Sequence, residues 1–231
     1  MNTLLLQIFG PLQAFGDEFS QFGTRKTNLH PTKSFGVGLI ATVMGRSRRD
    51  PIEDLSRLPM GVRIEADGAH ILEDFHAVEN VPQADGGMDR KNPFKITRRS
   101  YLTDASFLFG IESDDVEMLV RIENALINPV RTPYIGRKCC PFSIPPVLPD
   151  GGIREGLDLF DALRNEPPLN IIGGNQSMME VVIEMVPGRE WAQPPMLVHD
   201  IRDVPIFFDP RQFRKRKIGR MMVDTKVGDD A

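Results

Sequence analysis

His30 and Lys33 stand three residues apart in the segment "HPTK". An imidazole beside an ammonium is a combination able to take the proton of a ribose 2′-hydroxyl and return one to a leaving oxygen. The plainer reading of His30 is a loop residue or a phosphate contact. No other acid–base set is legible: the two tyrosines, Tyr101 and Tyr134, have no histidine close in sequence. The four histidines (His30, His70, His76, His199) form no i,i+4 pair and have no cysteine nearby, so no zinc or other metal site is expected. Nor is a cofactor expected. Gly10 to Gly16 is followed by Asp17 where a phosphate loop needs Lys and Ser/Thr, and "GVGLIA" follows a polar loop instead of a strand. Cys139 and Cys140 are adjacent, which is not metal-ligand spacing, and are expected to fill space as small buried side chains.

The charge pattern points to a polyanion instead. The formal net charge is −4, yet six of the ten residues Arg211 to Arg220 ("RQFRKRKIGR") are basic, as are five of the ten from Arg90 to Arg99 ("RKNPFKITRR"). Arg25, Lys26, Lys33, Arg46, Arg48 and Arg49 add to the N-terminal part. Any one run is also what a solvated surface shows; four separate clusters suit charge-assisted bonds to a sugar-phosphate chain. Phe15, Phe19, Phe22 and Phe94 lie among glycines and basic residues, where they would either stack on bases or form a small core under a long loop.

These groups need a frame. At 231 residues, 41% hydrophobic and 26% charged, the chain can bury an ordinary core, and disorder throughout is excluded. No apolar run reaches the ~18 residues of a membrane span, so a soluble, cytoplasmic protein is expected. "LLLQIF" reads as a buried strand stopped by Gly10-Pro11, and a glycine- and proline-rich loop leads into the helix "TKSFGVGLIATVMGRS". Gly61 to Glu65 and Ala69 to Phe75 read as strands, and "SYLTDASFLFGIE" as one more. "SDDVEMLVRIENALINP" has helical spacing, Ser113 at its cap, acids in its first turn and Asn128-Pro129 as its stop. Beyond Pro141 come a turn-rich "PPVLPDGG", a short helix "GLDLFDALRN" and strands in "SMMEVVIEMV" and "VPIFFD". This order is α+β and compatible with the split β-α-β plan of the ferredoxin-like fold, which RNA-recognition proteins share.

"LLLQIFGPLQAFG", "GTRKTNLHPTKSFGVGLI", "SYLTDASFLFGI", "LINPVRTPYIGRKCCPF" and "DVPIFFDPRQF", in that order and spacing, resemble the Cas-five family of CRISPR-associated proteins in its type I-E Cascade form, from residue 3 to about residue 216. The resemblance implies one domain over 1–231: an RNA-recognition-type palm, an inserted β-hairpin thumb at about 76–101, a variable segment at about 145–180 and a mobile tail at about 221–231. It implies a non-catalytic subunit that grips the five-prime handle of the CRISPR RNA beside the Cascade backbone and large subunits. Contact with target DNA is a lesser expectation. Relatives in another subtype cleave precursor RNA with a tyrosine, lysine and histidine set, so a metal-independent endoribonuclease using His30 and Lys33 is the alternative.

With that resemblance, the RNA contacts are expected at the following residues. Gly136 frees the backbone so that amides of "YIGRK" meet a phosphate, Arg137 and Lys138 clamp it, and Tyr134 packs or stacks behind. Thr24, Arg25 and Thr27 offer hydroxyls and a guanidinium, while Thr32, Lys33 and Ser34 open a helix whose free amides favour a phosphate. Gly36 and Gly38 let RNA or a strand approach that helix. Gln13 is a base-edge or backbone contact. Arg90, Lys91, Arg98 and Arg99 supply charge from the thumb, and Arg211 is either an RNA contact or part of an ion pair.

Overall fold

The computed structural model describes residues 1–17, 23–68, 71–82, 85–87, 94–171, 178–191 and 193–224. Its elements follow in chain order as β1 (Asn2–Phe9), β2 (Leu12–Gln13), β3 (Thr24–Arg25), α1 (Lys33–Val43), α2 (Glu53–Ser56), β4 (Met60–Ala66), β5 (Ile71–Glu79) and β6 (Phe94–Thr103). After these come β7 (Ser106–Ser113), α3 (Val116–Ile127), β8 (Ile153–Glu155), α4 (Leu159–Asn165), β9 (Met178–Glu184), β10 (Leu197–Phe208) and β11 (Arg211–Asp224).

The unbroken apolar run of β1 reflects a strand covered on both faces. Leu4, Leu6 and Ile8 point into a core shared with α1 and α3, and Leu5 points the other way, into a core shared with α4. The sheet around it has the order β10-β11-β9-β4-β7-β1-β8, and β1 runs antiparallel to both of its neighbours. Gly36 lets α1 sit close to this sheet: a Cβ there would come within 2.6 Å of the Phe109 ring and 2.9 Å of the Met60 sulfur.

Two elements differ from the sequence reading. "SYLTDASFLFGIE" is not one strand: the chain breaks at Asp104, whose φ is 52°, and Tyr101 belongs to β6 while Ser106 begins β7. The cap of α3 is Asp115, which accepts from the Met118 amide at 3.1 Å; Ser113 instead accepts from the Asp115 amide. Both carry a side-chain oxygen suited to a cap, and the helix starts two residues later than the polar run allows.

A smaller sheet of order β2-β6-β3, with β5 also on β6, carries a hairpin. β5 and β6 pair from Ile71↔Leu102 to Glu79↔Phe94, so the paired strands cover more chain than the expected 76–101. Its outer part is apolar and exposed: Phe75, Phe94 and Ile96 share one face by period and register, and each is more than half accessible. No helix among the described residues is long and apolar enough to cross a membrane.

Four charged groups lie between α1 and strands β9 to β11. Lys33 Nζ donates to both oxygens of Glu184 (2.7 and 3.0 Å), and Arg216 donates to Asp203 (2.7 and 2.8 Å) and to Glu184 (3.2 Å). Asp203 also accepts from the Lys33 amide at 2.7 Å, at the positive end of α1. Two carboxylates thus match two cations that are nearly sealed from water. Each charge is tolerable only because its partners are present.

Candidate nucleic-acid interface

A cleft of about 750 Å³ opens along the outer face of α1. Its walls are Gly38, Leu39 and Thr42 of the helix, the stretch Arg46 to Arg48 after it, the loop from Arg131 to Lys138, and Phe208, Arg211 and Phe213 at the turn between β10 and β11. At Gly38 the floor is not crowded: a Cβ there would meet only the Phe208 ring, at an ordinary 3.8 Å. Arg46, Arg48, Arg131, Lys138 and Arg211 all line the walls, and among the described residues no carboxylate does. Two of the five are already engaged. Arg46 grips Asp54 through both oxygens (2.6 and 2.5 Å), and Arg131 donates to the Arg46 carbonyl at 2.6 Å. Arg48, Lys138 and Arg211 are exposed and leave their charge to the cleft. Tyr134, Phe208 and Phe213 give it aromatic surface.

The loop over residues 131–141 is held by its own backbone. Ile135 donates to Cys140 (2.7 Å), Cys140 to Arg137 (2.8 Å), and the Ile135 carbonyl accepts from Ala14 (3.2 Å). Gly136 has φ +80° and lies so close to Ala14 that a Cβ would be 1.6 Å from its carbonyl oxygen. The glycine is therefore required by close packing and left-handed backbone. The expectation that it frees amides for a phosphate is corrected at two positions, because the Ile135 and Gly136 amides already bond to Cys140 and Tyr134 within the loop.

The expected site residues separate into three groups. Ser34, Tyr134, Gly136, Lys138 and Arg211 line the cleft. Thr24, Arg25, Arg98, Arg99 and Arg137 gather at the root of the hairpin: Thr24 and Arg25 run parallel beside Arg98 and Arg99, and Arg137 donates to the Arg25 carbonyl at 3.0 Å. The Arg137 guanidinium also lies 4.5 Å from the centre of the Tyr101 ring, so it ties loop, hairpin and β3 together as well as carrying charge. One loop thus serves both places, with Lys138 turned to the cleft and Arg137 to the hairpin.

The third group is interior, and its members are corrected as RNA contacts. Gln13 is fully buried and donates to the Gly10 and Ala105 carbonyls. Thr27 accepts from the Phe15 amide at 2.8 Å, and Thr32 caps α1 by accepting from Phe35. Lys33 is 1% exposed, in its pair with Glu184. The first amide of α1 serves Asp203, so this helix end is not free for a phosphate. Phe15 is also core, edge-on to Phe35 and Phe107 at 5.2 and 5.7 Å. Cys140 is buried as expected, whereas Cys139 is exposed. Arg90, Lys91, His70, Phe19 and Phe22 lie outside the described residues.

Sequence reasoning did not single out Arg131, Phe208 and Phe213, and counted Arg46 and Arg48 only as local charge. Their signal was available in part: Gly38, on the cleft-lining face of α1, comes about two turns before Arg46. What brings Phe208 and Phe213 opposite that face is long-range pairing of β10 and β11.

His30 is 6% exposed and its Nδ1 donates to the Pro31 carbonyl at 3.1 Å. Burial holds its pKa below the usual value, and Arg220 and Arg216 nearby lower it further. The folded protein thus binds this proton less readily than the unfolded chain. Its contribution is fully present above the unfolded pKa near 6.5 and declines as pH falls below it, by up to about 1.4 kcal/mol per pH unit. Urea unfolding at pH 7 and 5.5 should therefore show a smaller loss for His30→Asn than for the native protein; equal losses would refute the assignment.

A family model described as CRISPR-associated protein (Cas_Cas5) matches residues 3–221. A relative from Escherichia coli (strain K12), "CRISPR system Cascade subunit CasD", is 30% identical over 232 residues, covering 94% of each chain. Among solved structures, a "Crystal structure of Cas protein" superposes with a TM-score of 0.72 at 32% identity, over 97% of this chain and 96% of the other. A chain of a "CRISPR RNA-guided surveillance complex" superposes with a TM-score of 0.76 at 27% identity, over 96% and 90%.

Proposed function

Because this chain belongs to the Cas5 family of CRISPR-associated proteins, we propose that it is a non-catalytic, RNA-holding subunit of a Cascade surveillance complex in the cytoplasm. Its ligand is the five-prime handle of the CRISPR RNA. The observation that carries this reading is the cleft, with five cations, four aromatic rings and, among the described residues, no carboxylate in its walls. Charge-assisted bonds supply affinity for a single strand, and rings provide stacking surfaces for its bases.

The fold supports the same reading. In the strand order β4-β7-β1-β8, α1 follows β1 and α3 follows β7, which is the split β-α-β order of a ferredoxin-like, RNA-recognition-type palm. The β5–β6 hairpin enters between β4 and β7 and is the thumb. Its exposed Phe75, Phe94 and Ile96 are suited to cover by the neighbouring backbone subunit. The large subunit, and with it target DNA, would lie beside the handle.

The endoribonuclease alternative relied on His30 and Lys33. Both are interior, one bonded to Pro31 and the other to Glu184, so neither reaches a ribose in this arrangement.

The test is to titrate purified protein with labelled repeat RNA, with and without the handle, across a salt series, and to run the RNA on a denaturing gel. Tighter binding of the handle-bearing RNA, recovered at full length, is expected. Cleaved RNA would overturn the non-catalytic reading, and equal affinity for both RNAs would overturn the assigned ligand.

A further inference from the structure

Cys139 and Cys140 take no part in the RNA reading, yet the loop presents their thiols as a pair. Their sulfurs are 4.0 Å apart; Cys139 is exposed and Cys140 fully buried beneath it. That separation is about twice the ~2.05 Å of a disulfide bond. It is slightly above the roughly 3.8 Å spanned by two bonds of about 2.3 Å to sulfur meeting at a tetrahedral angle, and a pyramidal trivalent centre, with its narrower angle, draws the two sulfurs somewhat closer still. The backbone on either side is fixed by the Ile135-to-Cys140 and Cys140-to-Arg137 hydrogen bonds and by the seat of Gly136 on Ala14. The pair is therefore held at chelating distance before any ligand arrives.

We propose that Cys139 and Cys140 form a bidentate thiol site for one soft, sulfur-seeking centre, of which a trivalent arsenical is the representative. Thiolates favour soft centres. No cluster of three or more His, Cys, Asp or Glu side chains suited to a metal is found among the described residues, so a centre satisfied by two sulfurs fits better than tetrahedral zinc. The exposed Cys139 thiol adds first across the As=O bond of an organoarsenic(III) oxide, forming an As–S bond and an As–OH group. The Cys140 thiol then displaces that hydroxyl, its proton leaving with it as water. Two S–H bonds and the As=O bond are exchanged for two As–S bonds and one water, with no change of oxidation state. Burial and the neighbouring Cys139 push the Cys140 thiol up to about 12, so the second step draws on proton transfer to the departing hydroxyl.

Equimolar phenylarsine oxide with the native protein tests this directly. Intact mass should show one phenylarsenic group added with loss of one water, and no thiol left to alkylate. Closing the ring makes the second bond intramolecular, so the native adduct should survive about 100-fold more glutathione than the adducts of Cys139→Ser or Cys140→Ser. Cys139→Ser changes an exposed side chain and keeps the comparison valid if Cys140→Ser fails to fold. An unlabelled native protein, or an adduct lost at the same glutathione concentration as that of Cys139→Ser, would overturn the proposal.

Discussion

Gly136→Ala should lower the unfolding free energy by at least about 3 kcal/mol, through left-handed backbone strain and overpacking together. Two independent costs meet at this residue. Its φ of +80° disfavours any L side chain, and a Cβ would stand 1.6 Å from the Ala14 carbonyl oxygen. The neighbour is backbone, and it is tied in place: the Ala14 amide bonds to Ile135, and Gln13 beside it is anchored to Gly10 and Ala105. Relief must come from moving the whole loop, and Lys138 would leave the cleft with it. Urea unfolding and RNA titration should fall together, while Gly86→Ala, at a positive-φ glycine with nothing near it, should cost less. Native-like stability in Gly136→Ala would refute the seat described for the loop.

The largest effect on binding is expected from reversing the three cations that have the cleft to themselves. In a variant with Arg48→Glu, Lys138→Glu and Arg211→Glu, affinity for handle RNA at moderate salt should drop by roughly 100-fold or more. The slope of log affinity against log salt should shrink by about 2, given about 0.7 per phosphate contact on a single strand. All three side chains are exposed, so stability should change little. Reversing three cations of the outer surface, such as Arg57, Arg121 and Arg164, is the matched control. A drop of equal size in both variants would mean that only net charge matters and that the cleft is not the site.

How far the sequence could be read depends on which contacts are local. The strand "LLLQIF" announces itself because both of its faces are buried, and the α3 pattern because helical spacing and acidic first turn agree. The cluster "RQFRKRKIGR" shows the limit. Arg211 opens onto the cleft, Arg216 is interior with Asp203 and Glu184, and Arg220 pairs with Glu180. All three look alike in sequence, because alternation along a strand says that neighbours face opposite ways and not what lies on either side. The same holds in "HPTKS", where Thr32 and Lys33 are taken up by the helix cap and by Glu184 while Ser34 reaches the cleft. Glycines were a better guide than charges. Gly36 and Gly136 each mark a close approach, of the protein to itself, whereas at Gly38 a Cβ would meet only the Phe208 ring at an ordinary 3.8 Å.

The most direct measurement is photo-crosslinking of handle RNA carrying 4-thiouridine to the native protein, with the adducts located by mass spectrometry. Adducts on Tyr134, Phe208 or Phe213, and on peptides covering residues 44–48 and 131–141, are the predicted result. Adducts confined to the α4 side of the sheet or to the outer face of α3, with the cleft peptides unmodified, would contradict the account.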